Sequence, residues 1–153
     1  MKLDNKYVSL INDKSSLKVL SSVGKSGVVN SAVKQSLYVR EDGKIAYNEF
    51  LETSETNKNL FFSLWFKKTV SILVVTKDHE SYEIRGIPTS VIIEGAEFQA
   101  EYIKVQEKFD GIFDLGAIWI IDPVEVRSKD LKERFREQNE KYPIVTHLDR
   151  LAK

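Results

Sequence analysis

Residues 17–47 read LKVLSSVGKSGVVNSAVKQSLYVREDGKIAY, and two hairpins placed back to back account for all of them. Leu17 to Val23 and Gly27 to Lys34 are β-rich runs joined by Gly24-Lys25-Ser26, a turn with glycine on both sides. Leu37-Tyr38-Val39 and Lys44-Ile45-Ala46-Tyr47 flank Arg40-Glu41-Asp42-Gly43, where Asp-Gly supplies residues that tolerate positive φ. Gly24-Lys25-Ser26 also matches the end of a phosphate-binding loop, but that motif needs a glycine where Val19 stands. The hairpin explains these residues without it.

Leu3, Tyr7, Leu10 and Ile11 share a helical face, which predicts a short opening helix over residues 3–12 that plugs one end of the fold. Past the second hairpin the period changes. Leu60, Phe61, Leu64 and Trp65 predict a helix within residues 53–67, with Ser54 or Thr56 as N-cap. Val70 to Thr76 and Ser81 to Glu94 form a third strand pair around Lys77-Asp78-His79-Glu80, and Gly86 with Pro88 predicts a bend in its second member. Gly95 opens a helix whose Phe98, Tyr102, Val105 and Phe109 face the core, opposite Glu97, Glu101 and Lys104. Within the strand Leu115 to Ile121, the run Ala117 to Ile121 has no polar alternation, so it is expected to be buried on both faces, in the core or against another subunit. A last helix, 128–142, is expected to pack on the domain through Leu131, Phe135, Gln138 and Tyr142. The pattern is α+β, with about six antiparallel strands closing into a barrel flanked by helices.

At 153 residues the chain reads as one domain, 1–153, able to bury a core without disulfides or a structural metal. Its 23 Lys plus Arg balance 23 Asp plus Glu and the isoelectric point is 6.8, which argues against a nucleic-acid partner. The absence of cysteine removes thiolate metal sites and Cys nucleophiles, and it agrees with a reducing compartment. The only histidines, His79 and His147, read as solvated surface groups, so no metal site and no Ser-His-Asp constellation is expected. Neither a signal peptide nor a membrane span is legible, which makes the cytoplasm the expected location. The segment Asn48 to Leu60 runs from a strand end through hydroxyls and amides into a helix N-terminus. Such a place suits a phosphate, although taken alone the segment reads first as an ordinary N-cap with polar decoration.

Taken in order, Gly24 to Ala32, the Asp-Gly hairpin, Thr56-Asn57-Lys58-Asn59-Leu60, Glu83-Ile84-Arg85-Gly86 and Glu94-Gly95-Ala96-Glu97-Phe98 resemble the pyridoxamine 5′-phosphate oxidase-like FMN-binding split barrels, the small bacterial FMN-binding proteins above all. The resemblance covers roughly residues 17–126. It implies a six-stranded Greek-key split β-barrel that forms a homodimer with FMN in a groove at the subunit interface. Val29, Asn30, Ser31, Ala32 and Val33 would lie along the isoalloxazine ring, and Ala46, Tyr47 and Asn48 would border the ring and ribityl chain. Ser54, Thr56 and Asn59 would meet the phosphate. Where family members place Lys or Arg before that threonine, this sequence has Glu55, and Lys58 or Lys34 would have to supply the positive charge. Asn30, an amide among valines, needs a hydrogen-bond partner that a flavin edge would provide, while Tyr47 reads equally as a core aromatic. The function implied is an FMN-dependent oxidoreductase acting on a small-molecule redox substrate. A non-enzymatic flavin carrier, a split barrel that has lost FMN, and one holding heme or deazaflavin instead stay open.

Overall fold

The computed structural model describes residues 1–143. The elements in chain order are α1 (Asn5–Asn12), β1 (Leu17–Val23), β2 (Val29–Val33), β3 (Tyr38–Val39), β4 (Ile45–Glu49), α2 (Glu55–Phe66), β5 (Val70–Val75), β6 (Ser81–Ile92), α3 (Ala96–Lys108), β7 (Ala117–Ser128) and α4 (Leu131–Lys141). All neighbouring strands pair antiparallel, in the order β2-β1-β5-β6-β7-β4-β3, and the sheet curls into a half-barrel. Among the described residues the strands number seven rather than six, because the two-residue β3 pairs with Ala46 and Ile45 and forms an edge of its own.

Local turn chemistry sets the hairpins. Gly43 sits at φ 84°, a conformation that costs a side chain dearly, and closes the β3–β4 turn with its N–H on the Arg40 carbonyl at 3.0 Å. The turn between β1 and β2 is longer than expected. It runs from Gly24 to Val28, with Gly27 N–H on the Gly24 carbonyl. In β6 the register slips between Arg85 and Gly86 and again between Pro88 and Ser90, which is the expected bend. A Cβ at Gly86 would stand 2.5 Å from Ile121 Cγ2, so glycine is required for β7 to pass that closely.

Two clusters form the core. Inside the curl, Leu20, Ile45, Tyr47, Leu60, Ile72 and Trp119 pack with α1 through Ile11 and the partly buried Tyr7, Val8 and Leu10. On the other side of β4 and β7, Ala46, Ile118 and Ile120 pack beneath α3 through Val105, with Phe98, Tyr102 and Phe109 partly buried around them. The unalternated run Ala117 to Ile121 is thus covered on both faces by its own chain, and it needs no second subunit to hide it.

Helix α2 is turned from the expected orientation: Leu60 is buried and Leu64 packs against the core, but the two aromatics of the stripe face out. Its buried residues are Thr56, Asn57, Asn59, Leu60 and Ser63, whereas Phe61 and Trp65 stay 47% and 82% exposed. The reason is hydrogen bonding: α2 crosses one end of the curl, where buried polar groups need partners. Asn59 Nδ2 donates to Ser22 Oγ at 3.2 Å, and Trp119 Nε1 donates to Asn57 Oδ1 at 2.8 Å. Helix α4 differs too. Strand β7 continues to Ser128, α4 starts only at Leu131, and Leu131, Phe135 and Tyr142 remain exposed instead of packing on the barrel. Among the described residues no helix is long and apolar enough to cross a membrane.

Candidate functional site

Strand β3 ends after two residues, so Asn48 and Glu49 of β4 have no strand beside them on the edge that approaches the end of β2. Side chains bridge this split instead. Ser36 Oγ accepts from the Asn48 N–H at 3.0 Å and donates to the Asn48 carbonyl at 3.2 Å, standing in for the missing strand. Lys34 Nζ lies 3.1 and 3.3 Å from the two carboxylate oxygens of Glu49, a residue only 2% exposed. The Tyr47 hydroxyl and the Leu51 N–H also donate to Glu49, each at 3.1 Å. Lys34 is therefore committed to a buried carboxylate.

Burial, and secondly the Glu49 charge, push the Tyr47 hydroxyl far above the ordinary phenol range. The linkage has a definite sign. Below about pH 10 both states keep the proton; above it the unfolded chain releases it while the folded chain retains it, so ~1.4 kcal/mol of stability is lost per pH unit. Urea unfolding from pH 9 to 11.5 is expected to show this decline, and Tyr47→Phe to flatten it. An unchanged slope in the variant would remove Tyr47 from the account.

Between this split and α3 lies a groove of about 590 Å³. Val33, Lys34 and Asn48 reach it from the strands, and Glu101, Lys104 and Lys108 from α3. Asn48 Nδ2 donates to Glu101 Oε2 at 3.2 Å, which fixes the orientation of the amide, since a carboxylate only accepts. Asn48 Oδ1 is then buried with no hydrogen-bond partner among the described residues. The sequence reading missed the α3 contribution because Glu101 and Lys104 lie on the polar face of their helix, which reads as solvent-facing.

At the N-terminus of α2, Ser54 Oγ accepts from the Asn57 N–H at 3.0 Å and caps the helix. The Glu55 and Thr56 N–H groups, first in the helix, have no intrahelical acceptor. Asn30 Nδ2 donates to Thr56 Oγ1 at 3.1 Å, so β2 is tied to this first turn and Asn30 already has the partner its position demanded. Glu55 and Lys58 point outward and are exposed. The other expected residues are not gathered here. Ala46 and Tyr47 are fully buried, Asn59 faces Ser22 inside, Ala32 is half-buried, and the exposed Ser31 shares a hydrogen bond of 2.8 Å with Ser21. His79, at φ 64°, sits in the exposed β5–β6 turn; His147 lies outside the described residues.

The arrangement fits FMN in three respects. The outer face of β2 presents Val29 and Val33, 65% and 57% exposed, with the exposed Ser31 between them. Asn48 Oδ1 is an acceptor awaiting a donor, and the α2 terminus presents free N–H groups to an anion. The carboxylate of Glu55 beside those groups opposes the phosphate.

This is the split-barrel fold of the pyridoxamine 5′-phosphate oxidase-like proteins. The chain is similar to HupZ of Group A Streptococcus, with a TM-score of 0.67 and 21% identity over 84% of this chain and 95% of that one. It is similar to an FMN-binding protein from Syntrophomonas wolfei subsp. wolfei, with a TM-score of 0.65 and 22% identity over 81% and 84% of the two chains. HutZ, the heme storage protein from Vibrio cholerae, gives a TM-score of 0.58 and 14% identity over 84% and 95%. No family model matches the chain, and no curated protein matches it.

Proposed function

We propose that the protein is an FMN-binding flavoprotein and an oxidoreductase, with the flavin laid along β2 and its phosphate at the N-terminus of α2. The observation that carries this reading is the Asn30–Thr56 hydrogen bond of 3.1 Å, which ties β2 to the first turn of α2. Bound FMN supplies the electron-transfer chemistry, and the chain orients it and sets its electrostatics.

The reading is tested at Glu55. A carboxylate a few ångströms from the phosphate costs about 1 kcal/mol in water and ~4 at an effective dielectric near 20, and this exposed position belongs near the lower value. Glu55→Lys reverses the sign and adds a charge-assisted hydrogen bond, so FMN is expected to bind about tenfold tighter, with a smaller gain for Glu55→Gln. The gain must shrink at high salt. Equal affinities for all three proteins in a free-FMN titration would move the phosphate away from α2.

A second reading, a flavin carrier or a split barrel without cofactor, is favoured by the charges: Glu55 opposes the phosphate and Lys34 is taken by Glu49, which leaves Lys58 as the nearby cation without an ion pair among the described residues. A yellow protein that reoxidises NAD(P)H supports the oxidoreductase, a yellow inert one the carrier, and a colourless one cofactor loss.

The family likeness also supports a homodimer, as do the exposed Val28, Val29 and Val33 on the β2 side and Trp65 on α2. Such an interface is expected to bury more than about 1,000 Å². Sedimentation at micromolar concentration is expected to give twice the chain mass; a monomer would remove half of the proposed cofactor site.

A further inference from the structure

Among the described residues three side-chain oxygens are buried without a hydrogen-bond partner: Ser16 Oγ, Asn48 Oδ1 and Ser63 Oγ. The two serines lie in the core, 1% and 0% exposed, and a hydroxyl can turn its proton toward a neighbouring acceptor. Asn48 differs on both counts. It is half-buried and lines the groove beside α3, and its amide is held in one orientation. Nδ2 donates to Glu101 Oε2 at 3.2 Å, and the other oxygen of Glu101 accepts from Lys104 Nζ at 3.2 Å. The main chain of Asn48 is fixed as well, since its N–H and its carbonyl both bond to Ser36 Oγ. Only Oδ1 is left, and an acceptor so placed asks for a ligand that carries an N–H. Lys34, Lys104 and Lys108 line the same groove, so donors for carbonyl oxygens stand in it together with the acceptor. The complement of such a set is a ring edge in which an N–H lies between two carbonyl groups.

We infer that Asn48 is the residue that recognises the flavin ring: its Oδ1 accepts the N–H lying between the two carbonyls of the isoalloxazine, and Glu101 is the positioning residue that keeps the oxygen, rather than the amide NH2, turned to the ligand. The inference deepens the FMN reading and rests on it. Val33, the last residue of β2, also lines the groove, so a ring laid along β2 reaches Asn48 without leaving the strand. A ring whose N–H is blocked loses the bond. An amide free to turn loses it too, because its NH2 would then oppose another donor.

The test is titration of the full chain with FMN and with 3-methyl-FMN, in which a methyl group replaces that hydrogen, followed by flavin fluorescence. Wild type is expected to bind FMN at least about tenfold more tightly than the methylated form, a difference of ~1.4 kcal/mol. Asn48→Ala is expected to bring the two affinities together by weakening FMN alone, and its undiminished affinity for 3-methyl-FMN shows that the variant is folded. Glu101→Ala is expected to narrow the difference as well, and Glu101→Gln, whose carbonyl oxygen still accepts from Nδ2, to restore most of it. Equal affinities of the two flavins for wild type, or a difference that survives Asn48→Ala, would overturn the inference and leave FMN in place. A full difference in Glu101→Ala would overturn the role of Glu101. Riboflavin and 3-methylriboflavin, which carry the ring without the phosphate, separate this from a failure of the FMN reading. Discrimination between those two by a chain that binds FMN no better than riboflavin supports Asn48 and removes the phosphate from α2, whereas a chain that binds none of the four overturns both.

Discussion

Lys34→Met is expected to destabilise the protein by about 3 kcal/mol, at the lower end of the range for removing one partner of a buried ion pair. The carboxylate of Glu49 is left with two donors, the Tyr47 hydroxyl and the Leu51 N–H, in a place where water does not reach it. Those two donors keep the loss from being larger. The pair also pins the end of β2 against β4 across the split, so the groove is expected to loosen along with the fold. Lys34→Met combined with Glu49→Gln is expected to recover most of the loss, because the uncompensated charge is gone. Urea unfolding of the wild type, the two single variants and the double variant measures this directly. A single-variant loss below about 1 kcal/mol, the size expected of exposed pairs, would show that the split is held by something else.

Asn57→Ala is expected to cost about 1–3 kcal/mol, since it strips one fully buried donor of its partner and removes a second, partly buried hydrogen bond. Trp119, fully buried, loses the acceptor for its Nε1–H, and the Glu52 carbonyl loses the Asn57 amide that donates to it at 2.8 Å. The damage is concentrated at the start of α2, where the phosphate is proposed to bind, so FMN affinity is expected to fall with stability. Trp119→Phe removes the indole N–H while keeping an aromatic ring in place. In that background Asn57→Ala is expected to cost at least 1 kcal/mol less than it does alone, as the coupling energy of a direct buried contact requires. Additive losses would mean that the indole–amide bond contributes nothing.

The parts of the fold legible in the sequence are those fixed by neighbours along the chain. Asp42-Gly43 carries its turn wherever it is placed, Ser54 caps the next helix, and Gly86 with Pro88 breaks the regularity of β6. Orientation was harder to read. The aromatic spacing of α2 reads as a core stripe, yet Asn57 and Asn59 turn inward because Trp119 and Ser22 wait there, and those partners are 62 and 37 residues away in sequence. Distance in sequence also hides the reason why Ala117 to Ile121 is apolar on both faces: one face lines the curl and the other lies under α3.

The site divides the same way. Asn30 and Thr56 were placed by likeness to a family, and the structure brings them together at 3.1 Å. Lys34 could be read from sequence only as a positive charge available to a phosphate. Its commitment to Glu49 depends on β3 being too short to shield the end of β4, which neither segment reveals alone. Glu101 and Lys104 look like ordinary solvent-facing charges until α3 is docked over β4, where Glu101 meets Asn48 across 53 residues of chain.

The most direct test of the central claim, that this split barrel holds a flavin, is the visible absorption spectrum of the purified protein after incubation with FMN and removal of the unbound cofactor. The account predicts the flavin bands at a stoichiometry near one FMN per chain, strengthened at low FMN by Glu55→Lys and bleached on reduction. A spectrum without flavin bands in both the wild type and Glu55→Lys, or a heme band in their place in the protein as isolated, would contradict it.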